Sequence, residues 1–194
     1  MNNFDRLKDS TFVVFDCETT GLDYTQGHQI IELAGQKVVR GEVTGVFHSL
    51  INPTVDVEEG AYRVHGLSNL YLAEHGKAGS GVVKEFLDFV NGSILVGHNI
   101  LTFDIPFVNA DLRRHGLAQL SNMVIDTLIM ARKIIPRLPD HKLGTVAKHF
   151  NIDPTGAHRA LKDVDMNREI FLKMLDQYLE KLDEEERKRT GSLL

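Results

Sequence analysis

"TFVVFDCETTGL", residues 11–22, joins a strand-like apolar segment to two carboxylates and a glycine turn. Because successive side chains of a β-strand point to opposite faces, Asp16 and Glu18 share one face and Cys17 lies on the other. Two neighbouring carboxylates repel each other, and burying either without a partner is costly. We therefore expect a positive partner beside Asp16 and Glu18, whereas Cys17 is expected to pack in the core.

The apolar patterns along the chain predict alternating strands and helices. Further strands are expected in "QIIELAGQKVVRGEVTGVFHSLINP", as a hairpin that turns near "RGEVTG", and in "SILVGHN" and "NMVIDT". Helices are expected in "SGVVKEFLDFVNG", in "TFDIPFVNADLRRHG" with Thr102 as its N-cap, in "LIMARKII" and "LGTVAKHF", and from about residue 159 onward. This order predicts an α/β fold: a mixed five-stranded sheet, antiparallel in its first three strands, with two parallel additions and flanking helices.

The composition is that of an ordinary globular chain, with 194 residues of which 42% are hydrophobic and 25% charged. The length predicts one domain, which we place at residues 1–180, followed by a charged tail at residues 181–194. No apolar run approaches the ~18 residues of a membrane span, and the N-terminus lacks a signal-peptide core, so no membrane partner is expected. The single cysteine cannot form an internal disulfide, which suits a cytoplasmic protein.

The net charge of −5 gives no overall indication of a nucleic-acid partner, but the charge is unevenly distributed. Residues 131–162 carry only two acids, Asp140 and Asp153, against seven basic residues: Arg132, Lys133, Arg137, Lys142, Lys148, Arg159 and Lys162. Such a segment is consistent with a phosphate-contacting surface. The alternative is that these residues lie on solvated helix faces, and charge alone favours this alternative.

Two further segments place acids and histidines where predicted elements begin or end. "HNILTFD" puts His98 and Asn99 at the end of a strand and Asp104 in the first turn of a helix, and "HRALKD" puts His158 and Asp163 at the start of the last helix. Taken alone, an acid at a helix start is usually a dipole partner, and a lone histidine is usually structural. Functional sites nevertheless collect at the carboxyl ends of parallel strands, which favours a common site.

"DCETTG", "HNILTFD" and "HRALKD" together resemble the three motifs of the DEDDh 3′→5′ exonucleases, the DnaQ-like group with an RNase H-like fold. That group includes the proofreading exonuclease subunits and domains of bacterial DNA polymerase III. The resemblance runs from about residue 11 to 176 and includes "QIIELA", "RVHGLS" and "VIDTL". The subgroup is indicated by His158, five residues before Asp163; the tyrosine subgroup carries Tyr four residues before that acid, where this chain has Arg159.

The resemblance implies a metal-dependent site. Its metal-binding acids would be Asp16, Glu18, Asp104 and Asp163, and the expected positive partner is then a pair of divalent cations. Ligands that are all oxygen suit Mg²⁺ or Mn²⁺. Asp16 would bridge the two cations, Glu18 and Asp163 would complete one shell, and Asp104 would act partly through water. His158 would be the general base, because imidazole accepts protons near neutral pH.

The resemblance also implies how a 3′ end is recognised. The candidate nucleotide-binding residues are Thr19, Thr20, Gly21, Leu22, Val64, His65, Asn99 and Phe103. Backbone N–H groups of the turn would approach the 3′-hydroxyl, and Leu22 would form an apolar wedge, although Leu22 and Val64 could equally be core residues. Asn99 would order the site through hydrogen bonds, and Phe103 is expected to pack under the helix rather than stack on a base.

The implied function is a 3′→5′ exonuclease that hydrolyses single-stranded or frayed DNA 3′ ends to 5′-mononucleotides, with proofreading as its role. Its expected partners are single-stranded DNA and a DNA polymerase subunit, and a homodimer is an option. One alternative is an exoribonuclease or oligoribonuclease of the same fold. Another is a non-catalytic module that binds nucleic acid or a polymerase, which the presence of all four acids and the histidine disfavours.

Overall fold

The computed structural model describes residues 9–191, and it describes side chains as far as residue 181. The strands are β1 (Thr11–Thr19), β2 (Ile30–Val39), β3 (Glu42–Asn52), β4 (Lys77–Ala78), β5 (Ile94–Gly97) and β6 (Val124–Asp126). The α-helices are α1 (Glu59–His65), α2 (Asn69–His75), α3 (Gly79–Val90), α4 (Asp104–Arg114), α5 (Thr127–Ile134), α6 (Leu143–His149) and α7 (Ala160–Gly191). A short 3₁₀ turn covers Tyr24–Gln26.

The strands form one mixed sheet in the order β4-β3-β2-β1-β5-β6. Strands β1, β2 and β3 are antiparallel to one another, and β5 and β6 are added in parallel beyond β1. The predicted fold class is therefore confirmed. The sheet differs from the prediction by the edge strand β4, whose two residues pair with Ile51 and Asn52, and the short helices α1 and α2 were likewise not predicted.

The hairpin between β2 and β3 closes with a two-residue turn. Val39 pairs with Glu42, and the residues between them, Arg40 and Gly41, have φ angles of 52° and 83°. Two successive left-handed residues give the turn type whose twist matches that of the flanking strands, and glycine adopts this conformation without steric cost. The predicted hairpin is thus confirmed at the position "RG".

The two faces of β1 pack against different helices. Val13, Phe15 and Cys17 belong to a core cluster that includes residues of α3 and α4, and Cys17 is buried as predicted. Phe12 and Val14 belong to a second cluster with residues of α7. Because the faces alternate, Asp16 and Glu18 continue the α7 side of the strand and point toward the start of that helix.

The start of α4 corrects one prediction. Helix α4 begins at Asp104, and the N-cap position is occupied by Phe103, which makes no side-chain capping bond. The hydroxyl of Thr102 instead donates a hydrogen bond to Asn99 Oδ1 at 2.7 Å. Thr102 is therefore part of the preceding turn, and the prediction that it caps the helix was wrong.

Helix α7 continues through residue 191. The side chains of residues 182–194, which make up most of the predicted charged tail, lie outside the described residues, so the tail remains a prediction. Within residues 9–191, every helix is too short or too polar to cross a lipid bilayer.

Candidate active site

Three of the four predicted acids converge at the end of β1. Asp16, Glu18 and Asp163 each place an oxygen atom within 4.8 Å of the others. Strand β1 can reach this position because it pairs with β5 only from Phe12 to Val14 and then extends past it. Asp163 comes from the first turn of α7, which packs on the same face of the sheet. The fold therefore brings together residues that are more than a hundred positions apart in the sequence.

Asp104 lies beside this cluster. It is buried in the first turn of α4, and its Oδ1 accepts a hydrogen bond of 3.0 Å from the backbone N–H of Cys17. Asp104 can bind that N–H because β1 has no strand partner beyond Val14 along the edge that faces β5. Asp104 is close enough to Asp16 to affect its ionisation, although it is not one of the three acids that converge within 4.8 Å.

Burial raises the pKa of all four acids, and repulsion by the other clustered acids adds to the shift at Asp16 and Glu18. Burial first, and then the charges of the neighbouring acids, raise the pKa of Asp16 well above its ordinary value. The same causes raise the pKa of Glu18 to about 8. Burial raises the pKa of Asp104 to about 7 although the hydrogen bond from Cys17 opposes the shift, and burial raises that of Asp163. The cluster is thus stable only when some of its acids are protonated or when a cation compensates the charge.

The donor set fits a divalent cation. Asp163 Oδ2 accepts a hydrogen bond of 2.8 Å from the backbone N–H of His158, whereas Oδ1 is buried and has no hydrogen-bond partner among the described residues. A buried carboxylate oxygen without a donor is costly, and a cation would satisfy it. The converging ligands are all carboxylate oxygens, which is the chemistry preferred by Mg²⁺ and Mn²⁺.

His158 stands at the edge of the cluster. Its φ angle of 69° lies in the left-handed region that non-glycine residues seldom adopt. Its backbone N–H is bound to Asp163, whereas its side chain is exposed and finds no hydrogen-bond partner in the described part of the chain. The backbone is therefore fixed and the imidazole is accessible, which suits a group that exchanges protons with water.

A pocket beside the acids is lined by five of the eight predicted nucleotide-binding residues, Thr19, Gly21, Leu22, Val64 and His65, together with Glu18, Glu58, Gly60 and Ala61. Leu22 is 82% exposed and Val64 is 53% exposed, so neither is a core residue. His65 Nδ1 accepts a hydrogen bond from the Leu67 N–H, which leaves the ring proton on Nε2. Nε2 is buried near the Thr19 carbonyl but makes no hydrogen bond of ordinary geometry.

The turn after Glu18 depends on a close contact between Gly21 and His28. A Cβ atom added at Gly21 would lie 2.5 Å from the His28 ring, so a larger residue would require the ring or the turn to move. His28 is held by contacts of 3.1 Å to the Thr20 hydroxyl and 3.4 Å to Glu58. Sequence reasoning did not identify His28, because nothing in the sequence indicates that it folds back over the turn.

Three of the candidates make contacts within the protein. Thr20 is fully buried and its backbone N–H donates to the Gln29 carbonyl at 2.9 Å, so it takes part in the turn, and its contact with a nucleotide stays a prediction. Phe103 packs with its ring centroid 4.9 Å from that of Phe107, as the packing alternative expected. Asn99 accepts the hydroxyl proton of Thr102 and thereby orders the turn before α4.

Sequence reasoning also gave no role to Glu32 of "QIIELA". This residue lies in β2, is 1% exposed and binds Arg159 and Ala160 at the start of α7, as well as His48. Burial alone would raise the pKa of Glu32, but these hydrogen bonds hold it below its ordinary value. The one signal for Glu32 in the sequence was its position as an acid inside an apolar strand segment.

A separate apolar groove lies between β6, α5 and α7. It is lined mainly by apolar side chains, among them Ile129, Met130, Phe171 and Tyr178, and contains none of the four clustered acids. Asp126 is the acid on its wall, and its carboxylate caps the N-terminus of α5 by accepting from the Leu128 N–H at 2.9 Å. The groove therefore contains none of the converging carboxylates.

Similar proteins were found by sequence and by structure. The chain is 36% identical over 173 residues to the DNA polymerase III subunit epsilon of Aquifex aeolicus (strain VF5), a match that covers 89% of this chain and 84% of that protein. It is 37% identical over 174 residues to the PolC-type DNA polymerase III of Staphylococcus aureus (strain bovine RF122 / ET3-1), covering 90% of this chain but only 12% of the relative.

The fold is similar to that of Escherichia coli exonuclease I in complex with a dA16 oligonucleotide, with a TM-score of 0.75 and 20% sequence identity. That similarity covers 86% of this chain and 40% of the other, so this chain spans less than half of its structural neighbour. Residues 13–171 match the family model described as Exonuclease (RNase_T), and the matched range contains all four acids and His158. The chain therefore belongs to the exonuclease family, as its three motifs predicted.

Proposed function

We propose that this domain is a 3′→5′ exonuclease that hydrolyses single-stranded or frayed DNA 3′ ends to 5′-mononucleotides. The observation that carries the proposal is the convergence of Asp16, Glu18 and Asp163 within 4.8 Å at the end of β1. The unpartnered Oδ1 of Asp163 points to a missing positive partner in that cluster. Membership of the exonuclease family supports the same reaction.

The four acids would hold two divalent cations, Mg²⁺ or Mn²⁺. Such a pair supplies an activated water and stabilises the charge on the leaving 3′-oxygen. In this proposal Asp16, Glu18 and Asp163 would be the principal residues that hold the cations. Asp104 is held beside the cluster by its hydrogen bond from the Cys17 N–H and would contribute from there. The raised pKa values of these acids fall again when a cation compensates their charge.

His158 would accept the proton of the attacking water. The hydrogen bond of its backbone N–H to Asp163 fixes it next to the cluster, and its exposed ring is free to move the proton to solvent. A neutral imidazole is the usual proton acceptor at physiological pH. In this assignment the histidine does not bind the cations, so its removal affects the chemistry rather than metal binding.

The pocket beside Glu18 would receive the terminal nucleotide. The exposed side chains of Leu22 and Val64 offer apolar surface to a base. The buried Nε2–H of His65 is a donor that lacks a good partner within the described chain and lines the same pocket. The pocket lies directly beside Glu18, so a chain end bound in it would bring its terminal phosphodiester to the acids.

DNA as substrate and replication as context rest on the relatives. The sequence relatives are named as a subunit or a form of DNA polymerase III, and the structural neighbour was solved with a DNA oligonucleotide. We therefore propose single-stranded DNA 3′ ends and a DNA polymerase as partners, proofreading as the role and the cytoplasm as the location. Residues 1–180 are proposed as the catalytic domain, with the charged tail following it.

The proposal is tested by comparing single-stranded DNA and RNA of equal length, each labelled at the 5′ end. Incubation with Mg²⁺ or Mn²⁺ should shorten the DNA, and a chelator should stop the reaction. Faster shortening of RNA than of DNA would indicate the exoribonuclease alternative. No shortening of either substrate with any divalent cation would leave the non-catalytic binding module as the correct interpretation.

A further inference from the structure

Glu32 is a fifth buried carboxylate next to the acidic cluster. It is 1% exposed, and β1 and β2 pair in a register that places Glu32 opposite Glu18. Its charge adds to the repulsion among the acids, because it contributes to raising the pKa of Glu18. The charge of Glu32 therefore destabilises the ionised form of the cluster, and the reason for an acid at this position must be another interaction.

The hydrogen bonds of Glu32 show that it cannot be a further cation ligand. Oε1 accepts from Arg159 Nη2 at 3.0 Å and contacts His48 Nε2 at 2.8 Å. Oε2 accepts from Arg159 Nε at 3.1 Å and from the Ala160 N–H at 3.2 Å. A carboxylate offers about four lone-pair sites, so all of them are in use. The geometry is that of an anchor for the start of α7.

The anchored residues follow directly after His158. Arg159 is bound through two parallel N–H···O contacts, a geometry that fixes orientation as well as distance, and Ala160 is the first residue of α7. On the other side, the N–H of His158 is bound to Asp163. The left-handed backbone of His158, with φ at 69°, is thus held between two carboxylates, Glu32 through the residues after it and Asp163 directly.

We propose that Glu32 is a positioning residue for the exonuclease reaction, acting through Arg159 and Ala160 to hold His158 and Asp163 opposite Asp16 and Glu18. This inference rests on the proposed function of the acidic cluster and of His158. It goes beyond that function because Glu32 would contact neither a cation held by the converging acids nor the attacking water. Partners of this kind, which orient the groups that act, typically affect activity or metal affinity by about 10–100-fold.

The matched control is Gln36, on the same strand and against the same helix. Gln36 is 6% exposed, donates to Asp165 at 2.6 Å and accepts from Arg168 at 2.9 Å, so it also fastens β2 to α7. It lies away from the first turn of the helix. Replacing Glu32 or Gln36 by alanine should weaken the packing of α7 in both cases, but only the change at Glu32 should release His158.

The test compares Glu32→Ala and Gln36→Ala at saturating Mn²⁺, with kcat and KM for single-stranded DNA measured separately. We expect Glu32→Ala to lower kcat about 10–100-fold with little change in KM, and Gln36→Ala to leave kcat near that of the wild type. Hydrogen exchange of the His158 amide should accelerate in Glu32→Ala alone. A wild-type kcat together with wild-type exchange at His158 in Glu32→Ala would overturn the proposal.

A second variant, Arg159→Ala, tests the same proposal and replaces Glu32→Ala if that variant does not fold. If Glu32 acts through Arg159, Arg159→Ala should lower kcat as well, and the double variant should lose less than the sum of the two single losses. A rise in KM for DNA, with kcat unchanged, would instead make Arg159 a phosphate contact and overturn the positioning role. A wild type that shortens no substrate would refute the proposed function itself, independently of Glu32.

Discussion

The acids at the end of β1 make the metal-free site unfavourable. Asp16, Glu18, Asp104 and Asp163 all have raised pKa values, chiefly because they are buried, and the charges of the other acids add to the shifts of Asp16 and Glu18. Each raised pKa means that the ionised form is less stable in the folded protein than in the unfolded chain. The site therefore gains stability from a bound cation, which links folding to metal binding at the level of single residues.

Replacing Asp16 removes an acid whose pKa is raised by burial and by the charges of Asp104, Glu18 and Asp163. Asp16→Asn should abolish hydrolysis, while its melting temperature without metal should equal or exceed that of the wild type because repulsion is relieved. Mg²⁺ or Mn²⁺ should raise the melting temperature of the wild type clearly more than that of the variant. Asp88→Asn, at an exposed acid of α3, is the control. Equal metal-induced shifts in wild type and Asp16→Asn would contradict the assigned role.

The raised pKa values predict how stability depends on pH. The pKa is about 8 for Glu18 and about 7 for Asp104 in the folded state, against about 4 for such groups in an unfolded chain. Between these values the folded protein binds more protons than the unfolded one, so its stability falls as pH rises. Urea unfolding in a chelator should show this fall between about pH 4 and pH 8, and added Mg²⁺ should reduce it. A free energy of unfolding that rises with pH over that range in the chelator would contradict this prediction.

His158→Asn separates a chemical role of the histidine from a structural one. Asparagine tolerates the left-handed backbone at this position, so the turn should be retained. We expect single-turnover hydrolysis to slow by about two to four orders of magnitude, the usual contribution of a positioned base. The metal-induced rise in melting temperature should persist, because the histidine is not a ligand. A folded variant with near-wild-type chemistry across the pH range would remove His158 from the mechanism.

At the scale of elements, the apolar patterns predicted most strands and helices but not β4, α1 and α2. The apolar faces of α3 and α7 and the hairpin at Arg40 and Gly41 were expected from the sequence, and the structure has them. Strand β4 has only two residues, and α1 and α2 bury one residue each, so these helices lack the apolar face that allowed α6, of the same length, to be predicted. These short elements follow β3, and α1 supplies Val64 and His65 to the nucleotide pocket.

The turn between β1 and the 3₁₀ segment offers a test of an element rather than of a single group. A methyl group at Gly21 would collide with the His28 ring, 2.5 Å away, so Gly21→Ala must displace either the ring or the turn. We expect KM for single-stranded DNA to rise, with a loss of stability of about 0.5–3 kcal/mol. In the double variant Gly21→Ala/His28→Ala, KM and stability should both return part of the way to the wild-type values. If neither returns, the contact between Gly21 and His28 does not determine the conformation of the turn.

At the scale of the whole molecule, the site depends on contacts between distant parts of the chain. The acids and His158 could be predicted because they resemble known motifs, whereas Glu32 and His28 could not. Glu32 meets Arg159 across 127 positions, and nothing local in the sequence indicates that pairing. The same fold occurs in relatives of very different length, since the match covers 84% of one relative and 12% of another. Both matches cover about nine tenths of this chain.

The most direct measurement follows the products formed from single-stranded DNA labelled at its 5′ end. The account predicts a ladder that shortens one nucleotide at a time from the 3′ end and releases 5′-mononucleotides, only when Mg²⁺ or Mn²⁺ is present. A 3′-phosphate or an inverted terminal nucleotide should block the reaction, and a closed circular strand should remain intact. Cleavage of the circle at a rate comparable to that of the linear strand, or shortening from the 5′ end, would contradict the assignment of a 3′→5′ exonuclease.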